Sequence, residues 1–150
     1  MLENSFLQNQ VCFAMYSATN AMIRQYRPLL QVYDLTYPQF IVLMALYDQD
    51  NVTLSEIGQK TLFDSGTLTP IIKKLEQKAF LKRVAVKEDE RMKKVLLLEK
   101  ALLLKDKIIA IPAQLACSIA INPNDLVSIR ELCHAFLHSL AQSKKIQSDE

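Results

Sequence analysis

Two glycines, Gly58 and Gly66, are all that the 150 residues contain. A dinucleotide fingerprint needs three glycines within six residues, and a phosphate loop needs two at fixed spacing before a lysine. Neither can be written here. Turns of β folds draw on glycine for positive φ, so the scarcity also favours helices. Cysteine is sparse: Cys12, Cys117 and Cys133 are too few and too scattered for a secreted disulfide framework. No Lys or Arg precedes Arg24, and Glu3 is acidic, which argues against a signal peptide. The longest uncharged apolar stretch, Ile108 to Ile121, is 14 residues long, contains Pro112 and Gln114, and falls short of the roughly 18 a membrane span needs. These absences point to a reduced, cytoplasmic chain with no membrane segment. What is present suits one folded domain over residues 1–150, with a polar tail from Ser143 to Glu150. Apolar residues make up 50% and charged residues 23%. The net charge of +2 argues, by itself, against a strongly basic nucleic-acid binder.

Periodicity then orders the chain. Apolar residues recur at helical spacing from Leu7 to Leu30, and Pro28 is expected to kink or end that helix. Thr36 and Gln39 form a capping-box pattern for a helix through about Asp48, with Phe40, Leu43, Met44 and Tyr47 inward. Thr53-Leu54-Ser55-Glu56 is a second capping box, opening a short helix interrupted near Leu62-Phe63-Asp64. Leu68, Ile71, Ile72, Leu75 and Ala79 mark the next helix. Either it begins at Asp64, with Pro70 in its interior over the carbonyl of Gly66, or it begins at Thr69 with Pro70 at N1. The earlier start is preferred. Phe80–Val86 and Lys93–Leu98 read as a β-hairpin with a solvated tip, Lys87 to Met92. A long helix from Ala101 to Ile119, bent at Pro112, follows. Asn122-Pro123 then starts a last helix with Leu126, Ile129, Leu132, Cys133, Phe136 and Leu140 inward. This order is mainly α with a small β-hairpin wing: a winged helix-turn-helix over about 36–98, between terminal helices at about 5–33 and 100–142. The second helix of such a motif lies in a DNA major groove.

The distribution of charge agrees. Lys73, Lys74, Lys78, Lys82, Arg83, Lys87, Arg91, Lys93 and Lys94 face only four acids in the same segment, giving +5 over 22 residues and −3 over the other 128. A basic patch on the reading helix and hairpin is the footprint of phosphate binding. Ser65, Thr67 and Thr69 sit near a helix N-terminus, where hydroxyls meet phosphates or base edges. Lys73, Lys74, Arg83 and Lys93 reach phosphates. Arg91 at the tip suits a narrow minor groove, with Asp89 holding its guanidinium. His134 and His138 are spaced i, i+4, but no third ligand is apparent, so no metal or other cofactor is expected.

These features resemble the MarR family of bacterial transcription regulators. Asp64-Ser65-Gly66-Thr67-Leu68-Thr69-Pro70-Ile71-Ile72-Lys73-Lys74-Leu75-Glu76 looks like the family's recognition helix, and Asp89-Glu90-Arg91 like its wing signature. Asn9 to Ala18, Tyr26-Arg27-Pro28-Leu29-Leu30 and Leu35-Thr36-Tyr37-Pro38-Gln39 are similar to motifs of the branch that senses organic hydroperoxides. The match covers roughly residues 5 to 140. It departs at Arg91-Met92-Lys93-Lys94, where a second arginine and an apolar strand are usual, and at Leu97 to Lys100, which lacks a glycine. The resemblance implies a homodimer on a pseudo-palindromic double-stranded operator. It implies Cys12 as the peroxide-reactive thiol, Tyr26 and Tyr37 as phenols bonding that sulfur across the dimer, and Tyr16 beside the site. It implies Cys117 of the other subunit as the resolving thiol, and it gives Cys133 no role.

The chemistry suits those residues. The thiolate is the nucleophile toward a peroxide O–O bond. Phenolic O–H donors stabilise it without adding charge, and an apolar lining of Phe13, Met15 and Met22 favours alkyl hydroperoxides. Attack leaves a sulfenic acid, and a second thiol condenses with it before over-oxidation. The expected function is thus a dimeric repressor that releases DNA on oxidation, not an enzyme. Two alternatives remain open: a regulator of the same family that answers a small phenolic ligand, and a thiol peroxidase.

Overall fold

The computed structural model describes residues 6–86 and 89–148; for 89–92 and 143–148 it describes the backbone alone. The chain divides into two compact units, Met1–Ile111 and Pro112–Glu150.

In the first unit, α1 (Val11–Gln31) is followed by α2 (Tyr37–Asp48), β1 (Val52–Thr53), α3 (Leu54–Thr61) and α4 (Ser65–Gln77). Next come β2 (Leu81–Val86), β3 (Asp89–Leu97) and α5 (Glu99–Ile109). The centre of the unit is α2, which packs against α1, α3, α4 and α5. Phe40, Val42, Leu43, Ala45 and Leu46 are all buried, while Met44 and Tyr47 are only half-buried. The single inner face expected for this helix is therefore replaced by burial on several sides, as an apolar helix with four neighbours requires. Ile57, Leu68, Ile72, Leu75, Phe80, Leu81, Val95 and Ala101 complete the core.

Four local expectations are revised. First, α1 runs through Pro28 to Gln31, so of the two outcomes expected of the proline, a kink or an end, the end is not the one observed. Second, β1 adds a third strand, in the order β1-β3-β2, with Val52 paired to Val95. Two residues are too few to show an alternating pattern, and Thr53 also serves as the cap of α3. Third, β3 begins at Asp89, so Asp89 to Met92 belong to the strand and not to the tip. Val86 pairs with Asp89 across a register shift between Ala85 and Val86. Fourth, the single helix bent at Pro112 is two helices, α5 and α6 (Ile111–Ser118). Pro112 has no N–H to continue the ladder of α5, but at the start of α6 that N–H would be unsatisfied anyway.

The helix-turn-helix is fixed by its caps. The Glu56 carboxylate accepts from the Thr53 N–H at 2.7 Å, and Thr53 Oγ1 accepts from the Glu56 N–H at 3.3 Å. Leu62 closes α3 in the left-handed region at φ 61°. Asp64 then caps α4, its Oδ1 accepting from the Thr67 N–H at 2.7 Å. The earlier of the two starts is the observed one, with Pro70 inside the helix. A Cβ on Gly66 would meet Asp64 Oδ1 at 3.2 Å, so the tight neighbour of this glycine is the cap carboxylate and not the Pro70 ring. A Cβ on Gly58 would meet the backbone oxygen of Phe63 at 3.1 Å, which is where α3 passes close to the turn.

The second unit holds most of α6 and all of α7 (Pro123–Ser148). The expected polar tail continues this helix through Ser148. Asn122 Oδ1 accepts from the Asn124 N–H at 2.9 Å at its start. Of the residues expected inward, Leu126 and Cys133 are half-buried, but Ile129, Leu132, Phe136 and Leu140 are exposed.

Candidate DNA interface and thiol–tyrosine site

Ser65, Thr67 and Thr69 are exposed on the first turns of α4, as a DNA-reading end requires. The Thr67 hydroxyl donates to Asp64 Oδ2 at 3.1 Å and the Thr69 hydroxyl to the Ser65 carbonyl at 2.8 Å. Their protons are committed locally, leaving lone pairs for partners outside. Lys73 and Lys74 are exposed further along the same helix, and Lys82 and Lys93 on the strands. Ser55 and Gln59 of α3 line a groove of about 640 Å³ together with Leu62, Ser65 and Thr69. Neither stands out in the sequence, where the one cue is a polar position on the first helix of the motif.

Two cations of the basic segment are turned to other work. Arg83 donates to Glu76 Oε2 from Nη2 at 2.6 Å and from Nε at 3.1 Å, while its N–H donates to Glu76 Oε1 at 3.1 Å. These bonds hold the Glu76 carboxyl below the usual carboxylate range. Arg83 is therefore a half-buried brace between α4 and β2 rather than a free phosphate contact. Lys78 is half-buried and pairs with the exposed Asp34 at 3.2 Å. The side chains of Asp89 and Arg91 lie outside the described residues.

Elsewhere in the first unit, three rings cluster. The centroids of Tyr26 and Tyr37 are 4.9 Å apart, and Phe40 lies 5.6 Å from Tyr26 and 5.9 Å from Tyr37. Tyr26 is buried and Tyr37 half-buried. Burial raises the pKa of both phenols, with a smaller contribution at Tyr26 from Tyr37. Both therefore stay protonated donors at neutral pH. Beside them, Ile23, Arg27, Leu30, Leu35, Tyr37 and Lys78 line part of a cavity of about 450 Å³.

Cys12 is the second residue of α1 and is exposed. Tyr16 follows one turn later on the same face and is also exposed. Tyr26 is fourteen residues further along the same helix than Cys12, about 21 Å at the helical rise. The structure thus brings Tyr26 and Tyr37 together but keeps the Cys12 thiol of the same chain well away from them. Phe13 and Met15 are half-buried and Met22 is exposed. Cys117 is exposed on α6 and Cys133 half-buried on α7, and all three thiols are free. His134 and His138 are exposed on α7. Among the described residues, no group of three or more His, Cys, Asp or Glu is placed to hold a metal ion.

A helix-turn-helix with a β-wing and exposed lysines on its second helix defines a DNA-binding transcription regulator. The chain belongs to the MarR-type winged-helix regulators, and its residues 24–108 match the transcriptional regulator SarA/Rot family. It is 35% identical over 145 residues to the organic hydroperoxide resistance transcriptional regulator of Bacillus subtilis, covering 94% of this chain and 99% of that one. It is 38% identical over 113 residues to the regulator SarZ of Staphylococcus haemolyticus, covering 75% and 77% of the two chains. Among solved structures, reduced AbfR bound to DNA, from a regulator of Staphylococcus epidermidis, superposes with a TM-score of 0.75 at 26% identity. That match covers 90% of this chain and 94% of AbfR. Structures of AbfR also exist in an overoxidised form bound to DNA and in a disulfide form. No described helix is long and apolar enough to cross a membrane.

Proposed function

We propose that this regulator is a cytoplasmic, homodimeric repressor that senses organic hydroperoxides through Cys12. The observation that carries the reading is the paired phenols. Tyr26 and Tyr37 offer two neutral O–H donors at 4.9 Å ring separation, at a site their own Cys12 does not reach. A thiol donated by a second copy completes it. The relatedness to the B. subtilis hydroperoxide regulator supports the same assignment.

The Cys12 thiolate attacks the O–O bond of ROOH. The sulfur is oxidised to a sulfenic acid, and the leaving alkoxide takes a proton to become ROH. The Tyr26 and Tyr37 hydroxyls donate to the sulfur before attack, and the apolar wall of Ile23, Leu30 and Leu35 accepts R. The Cys117 thiol of the other subunit then displaces water from the sulfenic acid, forming the disulfide. That bond requires Cα atoms within about 7 Å. Closing it moves the two reading heads off half-sites set one helical turn apart. On DNA, Ser65, Thr67 and Thr69 meet base edges and phosphates. Lys73, Lys74 and Lys93 neutralise phosphates, Arg83 keeps the wing against α4, and Arg91 with Asp89 enters the minor groove.

Treatment with cumene hydroperoxide should give a dimer band on non-reducing gels and loss of the mobility shift on the DNA upstream of its own gene. Cys12→Ser should abolish both responses and leave binding by the untreated protein intact. Monomer bands only, after full oxidation of wild type, would sink the intersubunit disulfide. A second reading rests on the cavity itself: its apolar wall and Arg27 suit a small phenolic acid. That reading gains if Cys12→Ser still releases DNA with such a ligand.

A further inference from the structure

We propose that Lys78 is the positioning residue that couples the tyrosine site to the recognition helix, an inference that rests on the redox reading above. Lys78 is the C-cap of α4, and its side chain leaves the DNA face to reach the α1–α2 connection. Its ammonium donates to the Asp34 carbonyl at 2.5 Å, pairs with Asp34 Oδ2 at 3.2 Å and donates to Gln39 Oε1 at 3.3 Å. Gln39 is a buried polar residue, only 2% exposed, and the same oxygen accepts from the Thr36 N–H at 3.1 Å. Tyr37 lies between those two anchors in sequence, and its ring packs at a tilt against that of Tyr26. Lys78 and Tyr37 also share the wall of the 450 Å³ cavity.

The other end of Lys78 is held as firmly. Its carbonyl, one of the orphan acceptors at a helix C-terminus, accepts from Lys100 Nζ at 2.9 Å, and Lys100 sits over the Phe80 ring at 4.3 Å. The C-cap of the recognition helix is thus held between α5 and the segment that carries Tyr37. Asp34 is held in the left-handed region at φ 55°. That conformation is uncommon outside glycine and is tolerated best by Asn and Asp, so the acceptor is presented by a backbone with little freedom to follow other geometries. When the phenols lose or gain their thiol partner, a shift of residues 34–39 pulls on Lys78, and through it on α4. Among the described residues, the other lysines of the basic segment are exposed at positions 73, 74, 82 and 93 and half-buried at 94.

The test is the ratio of operator affinities between the reduced protein and protein with Cys12 oxidised to the same extent, checked by mass spectrometry. The probes are cumene hydroperoxide and the DNA upstream of its own gene. Lys78→Met keeps the stem and removes the charge. Asp34→Asn keeps the backbone conformation and the carbonyl but removes the ion pair. In wild type the ratio should exceed about tenfold, within the usual range of coupling between sites. Lys78→Met should bind DNA when reduced within about threefold of wild type, yet its ratio should fall below about threefold. Lys78→Arg should restore the ratio, and Asp34→Asn should lower it. A purely structural lysine would weaken both states equally and leave the ratio untouched. A wild-type ratio with Lys78→Met overturns the coupling alone. If that variant does not fold, a wild-type ratio with Asp34→Asn overturns it. A wild-type protein whose affinity ignores Cys12 oxidation overturns the redox reading, and the coupling with it.

Discussion

Tyr47 shows how one hydroxyl ties the recognition unit together. It donates to the Ala101 carbonyl at 2.8 Å, joining α2 to the start of α5, and burial pushes its pKa up to about 12. Because the folded value lies above the unfolded one, its contribution is complete below about pH 10. It is lost as pH rises through about 12. Tyr47→Phe should lower stability by about 1 kcal/mol at pH 7 in urea titration, with the difference closing at strongly alkaline pH. Glu76 has the opposite sign. Hydrogen bonds from Arg83 depress its pKa, so its contribution is present at neutral pH and lost as pH falls through the lowered folded value. Both partners are about one-third exposed, so solvent screens the pair. Glu76→Gln should cost about 1 kcal/mol or less at pH 7. The loss should disappear when the same denaturation is repeated well below the ordinary carboxylate range.

Elements in this chain are joined without help from glycine. Asp34, Asn51, Leu62 and Ala79 take positive φ, and neither glycine does. Ala79 follows the cap of α4, where its N–H donates to the Glu76 carbonyl and the Phe80 N–H to the Leu75 carbonyl, a closure usually built on glycine. Ala79→Gly relieves roughly 1–2 kcal/mol of left-handed strain against about 0.4–1 kcal/mol of unfolded-state entropy. It should therefore raise the melting temperature slightly. Gly58→Ala should do the reverse. Alanine is the better helix former by about 1 kcal/mol, but the new Cβ presses on the Phe63 backbone oxygen at 3.1 Å. Overpacking of this kind costs about 1–3 kcal/mol, so the melting temperature should fall. A variant more stable than wild type would show that the turn gives way freely.

For the whole molecule, α7 matters most. Leu132 is 70% and Leu140 48% exposed, with Ile129, Phe136 and Leu137 beside them on the helix. So much exposed apolar surface on one helix marks an interaction site rather than a solvent face, and the second copy of the proposed homodimer would cover it. Sedimentation should give about 34 kDa, twice the 17.1 kDa chain. Leu132→Asp combined with Phe136→Asp should shift the mass toward one chain and weaken operator binding by more than about tenfold, since each half-site is then held alone. A variant that stays a dimer with full affinity would move the interface elsewhere.

Local patterns made much of this legible in the residues. The Thr53–Glu56 box, the Asp64 cap and the apolar spacing from Leu68 to Leu75 depend on neighbours within a turn, so α3 and α4 could be read directly. So could the motifs of Cys12, Tyr26 and Tyr37 and the local excess of lysine, despite a net charge of only +2. Contacts made far along the chain could not be read. Arg83 looks like a phosphate ligand in sequence and Lys78 like one more charge of the basic segment, and only the fold sets one against Glu76 and the other against Asp34 and Gln39. The strand at Val52 exists only because β3 lies beside it. The meeting of Tyr26 on α1 with Tyr37 on α2 likewise arises from packing. Sequence by itself determined the class of protein, because helix caps and periodicity are written within a few residues. Tertiary structure decided which charges remain free and which groups share a site, because those depend on partners distant in the chain.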